Sequence, residues 1–254
     1  MIRTKFPAGV HSMRTPTEGG SATVAPMKKI CVANQKGGSG KTHLAAMLIL
    51  SMASKGRTLA IDCDPQGGLT SFFTEKGKPS LFDFLSGIDL QTITVTRGEL
   101  SFEMIRADHR LDSIYSQLQP FAMEKLLKDV HYDYVIMDCP PTTMGITRAA
   151  ALCADLVLIP CDISKATIDP VLYTIEAMKE VKKKPHIYIL GNKPVDKEGH
   201  NKEGYVADLT REMIEAFGEY FAGFFPRAVA VQKAVAGITM PGDKKLQHYR
   251  EAIS

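Results

Sequence analysis

Residues 33–43 read ANQKGGSGKTH, and this stretch decides the fold. Gly37, Gly38 and Gly40 are crowded between Lys36 and Lys41. Glycine loses more backbone freedom on ordering than any other residue, so such a cluster makes sense where bare backbone has to approach something closely. On its amino side, KKICVAN (28–34) is a short apolar, β-branched run that reads as a buried strand. On its carboxyl side, THLAAMLILSMASKG (42–56) is dominated by Ala, Leu and Met and closes on Gly56, which reads as a helix. A glycine loop between a buried strand and a helix lies beyond the carboxyl end of a sheet, where α/β folds bind ligands. Backbone N–H groups wrap phosphate oxygens there, and the helix N-terminus adds partial positive charge. In this reading Gly37, Gly38, Ser39 and Gly40 cradle a nucleotide. Lys41 reaches its β- and γ-phosphates, and Thr42 offers its hydroxyl to Mg²⁺.

The alternation continues outward. RTLAIDCD (57–64), YDYVIMDCPP (132–141), DLVLIP (155–160) and HIYILGN (186–192) read as strands, with a further strand at 221–225. Helices are expected in 80–87, from Pro120 to Val130, from Ile146 to Cys153, over 166–183 with an early interruption at Pro170, and over 206–221. Two short helices are expected after residue 225, whereas residues 92–116 carry no pattern that assigns them. Strands alternating with helices predict an α/β fold: a mostly parallel twisted sheet with helices on both faces, in a single domain.

The chain has 254 residues, 44% of them hydrophobic, enough for one large core. Residues 1–26 are rich in Gly, Ser, Thr and Pro and lack the apolar centre of a secretory signal, so they read as a flexible extension before a domain at 27–254. No apolar run approaches the roughly 20 residues that span a bilayer. The five cysteines include no CxxC pair and read as small buried hydrophobes in a reducing compartment, the cytoplasm. A net charge of +3 permits nucleic-acid binding without arguing for it.

The glycine loop departs from the ordinary GxxxxGK[ST] form: Gln35 stands at the first glycine, and Lys36 is added before Gly37. This resembles the deviant P-loop of the ParA/MinD family of ATPases, and the likeness runs from Lys29 to the C-terminus. Asp62-Cys63-Asp64-Pro65-Gln66-Gly67 is similar to the DxDPQG segment of ParA proteins. Two carboxylates with one residue between them at a strand end can divide two tasks. The resemblance implies that Asp64 orients the hydrolytic water and that Asp62 supports the metal region. The apolar strand ending at Asp138 has the Walker B form, whose carboxylate holds Mg²⁺ through water. Asn192, closing the strand before Lys193-Pro194, would contact adenine. The GTPase pattern NKxD does not fit, because Asp196 follows Asn192 by four positions.

The resemblance also assigns Lys36 a task. In the family the extra lysine crosses a dimer to the partner's nucleotide, so the implied assembly is an ATP-dependent homodimer sandwiching two nucleotides, with Lys36, Lys41 and Asp64 as its catalytic residues. His43 stands where the family commonly has a second Thr; its imidazole N–H either substitutes for that hydroxyl at the α-phosphate or has no role. The C-terminal GDKKLQHYREAIS has no wide apolar face, which disfavours a membrane helix.

No helix-turn-helix fits before Met27, so the likeness is to short ParA-type DNA-partitioning ATPases. These would bind DNA without reading sequence, be nucleoid-associated, and be stimulated by a centromere-binding ParB-type protein. Phosphate contacts need Lys and Arg. Candidates are Lys182, Lys183, Lys184, Arg227, Lys233, Lys244, Lys245 and Arg250. The 182–184 run reads equally as a solvated helix end. Two other readings stay open: a MinD-like ATPase positioning a protein assembly or membrane cargo, and a nucleotide-regulated scaffold with negligible turnover.

Overall fold

A computed structural model describes residues 26–162, 165–181, 185–192 and 203–225. Eight strands among them form one sheet: β1 (Lys28–Val32), β2 (Thr58–Asp62), β3 (Ile93–Arg97), β4 (Leu100–Ile105), β5 (Tyr134–Asp138), β6 (Leu156–Cys161), β7 (His186–Asn192) and β8 (Phe221–Phe225). Their order is β3-β4-β2-β5-β1-β6-β7-β8, and every pairing is parallel except the edge pair β3–β4. The chain leaves β1 toward β2 on one side and later returns to lay β6 on the other. The carboxyl ends of β1, β5 and β6 therefore flank the crevice where the direction reverses, the usual ligand position in an open α/β sheet.

Strand β1 shows why the sheet is buried on both faces. Ile30 and Val32 enter one core with the helix α1 (Lys41–Ala53), while Cys31 and Ala33 enter the core on the opposite face. Side chains alternate along a strand, so a strand covered on both sides has to be apolar throughout. Helix α1 buries Leu44, Met47, Leu48, Ile49, Leu50 and Met52 completely or nearly so. Each such side chain contributes about 1.5–3 kcal/mol relative to exposure. The face of α1 is joined by α2 (Gly68–Phe73). The other core packs α4 (Ala122–Leu127), α5 (Ile146–Cys153), α6 (Lys165–Lys179) and α7 (Glu203–Phe217). A short helix α3 (Leu81–Leu85) starts on a capping box made by Ser80 and Asp83.

Most expected elements are present. Residues 92–116, unassigned from sequence, supply the β3–β4 hairpin, a five-residue 3₁₀ segment at His109–Ser113 and most of a three-residue one at Tyr115–Gln117. The hairpin turn at Gly98 is short, and apart from Val95, Phe102, Met104 and Ile105 its side chains stay partly or fully exposed, so the apolar signal is thin. Two helix expectations need correction. The one at 120–130 is shorter, six residues in α4. The one at 166–183 is not interrupted: α6 runs through Pro170 from Lys165. Pro170 is the sixth residue of α6, so it gives up one i→i−4 bond while the helix continues past it. All five cysteines are buried and free. No helix among the described residues is long and apolar enough to cross a membrane.

Candidate nucleotide site

The glycine loop links β1 to α1. Gly38 and Gly40 have φ of 71° and 94°, a left-handed backbone that side chains disfavour. Gly40 is the residue before the first turn of α1, so the loop's N–H groups and the helix terminus face the same space. Asn34, fully buried, anchors the loop's entry. Its Nδ2 donates to the Pro160 carbonyl at the end of β6 (2.7 Å), and its Oδ1 accepts from the Lys36 N–H (3.0 Å).

Lys41 is buried to 7% exposure, and its Nζ donates to the Lys36 carbonyl at 3.2 Å. Burial lowers its pKa, while the carboxylates of Asp138 and Asp64 oppose that shift. A buried ammonium with one hydrogen bond among the described residues, to a carbonyl, is poised to gain from an anion arriving in the loop.

Two carboxylates form the floor. Asp62 and Asp138 lie opposite each other in register on β2 and β5, both fully buried. Asp62 is saturated: Oδ2 accepts from the Thr70 N–H and hydroxyl, each at 2.7 Å, and Oδ1 accepts from the Asp64 N–H at 3.1 Å. Among the described residues, neither oxygen of Asp138 has a hydrogen-bond partner. Burial raises the Asp138 pKa well above the usual carboxylate value and Asp62 adds to the shift; the neighbouring Thr42 hydroxyl and Lys41 soften it. Burial likewise lifts Asp62 to about 6 against its hydrogen bonds. An orphaned buried carboxylate beside a lysine and a threonine fits a hydrated divalent cation, whose charge would stabilise its ionised form.

Asp64 lies beyond the strand end, half-buried, its Oδ1 accepting from the Gln66 N–H at 2.9 Å. Positions two apart share one face of a strand, so alternation does not part these carboxylates; Asp62 is inside the fold and Asp64 at the mouth of the site because the chain leaves β2 at Asp62. Lys36 lies on the side of β6 and α6. Its Nζ donates to the Thr167 hydroxyl (3.0 Å) and pairs with Asp162 at 3.8 Å. His43 packs edge-on against Phe72, ring centroids 5.1 Å apart, with Nε2 buried and unpartnered. Burial lowers its pKa. Ser39 is buried in the loop. Asn192 closes β7, two strands from β1.

The structure thus gathers Lys36, the glycine loop, Lys41, Thr42, Asp62, Asp64 and Asp138 at one end of the sheet. The DNA-contact candidates Lys182, Lys183, Lys184, Arg227, Lys233, Lys244, Lys245 and Arg250 lie outside the described residues, as do residues 1–25 and the helices expected after 225. Sequence reasoning missed Asn34, Thr70, Asp162 and Thr167. Asn34 carried a signal, a polar residue closing an apolar strand directly before the loop. Thr70, Asp162 and Thr167 become neighbours of the site only through tertiary packing.

Comparison with known proteins agrees with this geometry. A family model described as an AAA domain matches residues 27–189. An uncharacterised protein of Methanocaldococcus jannaschii is 30% identical over 82% of this chain and 88% of its own length. The chromosome-partitioning ATPase Soj of Thermus thermophilus is 30% identical over 66% of this chain and 68% of its own. A maintenance of carboxysome distribution protein A from Gloeothece citriformis is 27% identical over 62% and 65%. A plasmid partition protein of Borrelia burgdorferi, solved with AMPPNP, superposes with a TM-score of 0.71 at 20% identity, covering 89% of this chain and 97% of that one.

Proposed function

This chain belongs to the ParA/MinD family of P-loop ATPases, and from that premise we propose that it hydrolyses ATP with Mg²⁺ to drive DNA partition. The domain responsible begins at Met27. The observation that carries the reading is Asp138: fully buried, both oxygens unpartnered, next to Lys41 and Thr42 below the glycine loop. A buried carboxylate has to be protonated, paired or bound to a metal, and the Lys41 ammonium, the Thr42 hydroxyl and the glycine loop beside Asp138 favour a cation or its water.

The residues divide the work. The loop N–H groups and Lys41 bind the β- and γ-phosphates. Asp138 and Thr42 would hold Mg²⁺, which would supply positive charge against the phosphate oxygens. Asp62, saturated by Thr70 and the Asp64 N–H, fixes the strand end next to that metal. Asp64, at the mouth, orients the attacking water. Asn192 meets the adenine, and His43 packs beside the loop at the α-phosphate end.

Two copies sandwich two nucleotides, and Lys36 of each reaches the other's phosphates, as an arginine finger does. Hydrolysis then dissolves the dimer, which makes turnover a timer. The ATP-bound dimer coats DNA irrespective of sequence, through Lys182–Lys184 and the basic residues after 225, and sits on the nucleoid in the cytoplasm. A ParB-type protein on a centromere site triggers release. The carboxysome-distribution relative supports a second reading, a protein assembly as cargo.

Binding to a random-sequence duplex, followed by fluorescence anisotropy with ATP, ADP or no nucleotide across a salt series, tests this. Binding with ATP alone that weakens steeply with salt and is lost in Lys41→Ala supports it. If protein that binds ATP and dimerises shows no ATP-dependent duplex binding at low salt, the DNA role fails and the protein-cargo reading takes its place.

A further inference from the structure

The ammonium of Lys36 is already occupied within its own chain. Its Nζ donates to the Thr167 hydroxyl at 3.0 Å and lies 3.8 Å from an Asp162 carboxylate oxygen. Asp162 directly follows β6, and Thr167 is in the first turn of α6. Two more bonds tie the same stretch down: Asn34 accepts from the Lys36 N–H, and the Gln35 N–H donates to the Thr174 hydroxyl at 3.4 Å. The Lys36 backbone is therefore anchored, and its side chain is turned along the chain's own surface toward the β6–α6 connection.

We infer that Asp162 and Thr167 form a latch that holds Lys36 in cis, and that docking of a second, nucleotide-loaded copy has to draw the ammonium out of it. The inference rests on the proposed trans role of Lys36. One ammonium cannot satisfy Asp162 and a partner's phosphates at once, since its donors are compact and its charge is a point. The latch is weak by construction. Side-chain exposure is 30% for Lys36 and 43% for Asp162, so water screens the pair. Phosphate oxygens with their larger charge win once they arrive, while without them the latch keeps Lys36 away from an empty interface. The contact thus sets the threshold for assembly, and Asp162 and Thr167 are positioning residues that act through Lys36.

The threshold is measurable. Dimerisation is followed by sedimentation velocity over a protein titration with AMPPNP, which removes turnover from the readout. The proteins are wild type, Lys36→Ala, Asp162→Asn, Thr167→Val and the double variant. Thr167→Val keeps shape in a fully buried position, and thermal unfolding of each variant reports whether it is folded. Exposed ion pairs of this kind shift an equilibrium by about two- to fivefold, and a dimer opens two latches, so the dimer constant of the double variant is expected to tighten by about four- to twenty-fivefold. The wild-type constant is expected to approach that of the variant as salt screens the pair. Wild type that stays monomeric with AMPPNP overturns the proposed dimer itself. Wild type that dimerises, with folded Asp162→Asn and double variants dimerising at the same or higher concentration, overturns the latch alone. If the double variant does not fold, Asp162→Asn decides: an unchanged constant overturns the latch.

Discussion

Asp62 and Asp138 stand opposite each other on neighbouring strands, one with both oxygens engaged and the other with neither. The same degree of burial therefore produces two different groups. Asp62 is a structural acceptor that fixes the Asp64 loop. Asp138 is a buried carboxylate beside Thr42 and Lys41 that accepts no hydrogen bond among the described residues.

The first prediction concerns Asp138→Asn. An amide removes a buried carboxylate that has no donor and faces a second carboxylate, so the nucleotide-free protein is expected to be stabilised, by about 1–3 kcal/mol near neutral pH. Hydrolysis is expected to be lost. Thermal unfolding without Mg²⁺, alongside phosphate release, checks both. A lower melting temperature would mean that Asp138 is satisfied in a way the structure does not contain.

The pH dependence follows from the same pair. The folded chain raises Asp62 from 3.8 to about 6 and raises Asp138 further in the same direction. The folded state then holds these protons more tightly than the unfolded one. Their stabilising contribution is complete below pH 3.8 and is lost as pH rises through 6 and beyond. Denaturant unfolding of the nucleotide-free protein at fixed salt is expected to show this fall between wild type and Asp138→Asn as a difference that widens with pH.

A third prediction separates the two buried carboxylates. Thr70 donates to Asp62 from its hydroxyl and accepts the Ala107 N–H at 3.0 Å. Thr70→Val orphans that N–H and removes a donor from the carboxylate, at a cost of about 2–4 kcal/mol. The Asp64 loop loses its anchor, so turnover at saturating ATP is expected to fall more than ATP affinity does. Equal losses in both would assign Thr70 to stability alone.

The glycine loop allows a clean contrast. A Cβ on Gly37 or on Gly38 meets nothing within 4 Å, but only Gly38 has a positive φ, 71°. Gly38→Ala is expected to cost about 1–2 kcal/mol from backbone strain alone. Gly37→Ala is expected to leave stability within about 0.5 kcal/mol and yet weaken nucleotide binding, because its methyl group intrudes where phosphate oxygens approach. Calorimetric ATP titration beside thermal unfolding distinguishes them. Gly37→Ala with unchanged ATP affinity would move the phosphates away from that residue.

Residues 33–43 by themselves determined that this chain carries a phosphate-binding loop, and with the strand ends at Asp62, Asp64 and Asp138 they determined the family. That was legible because backbone approach, strand alternation and helix composition act over neighbouring positions, where sequence order is spatial order. The β3–β4 hairpin was not legible: it lies at the sheet edge, and few of its side chains are buried. The state of each charged group was not legible either. Saturation of Asp62 depends on Thr70, the orphaning of Asp138 depends on what β2 and α1 leave around it, and the cis contact of Lys36 depends on α6 arriving from 131 residues away. Those are decided by which elements the sheet order brings together, and only the tertiary structure holds that information.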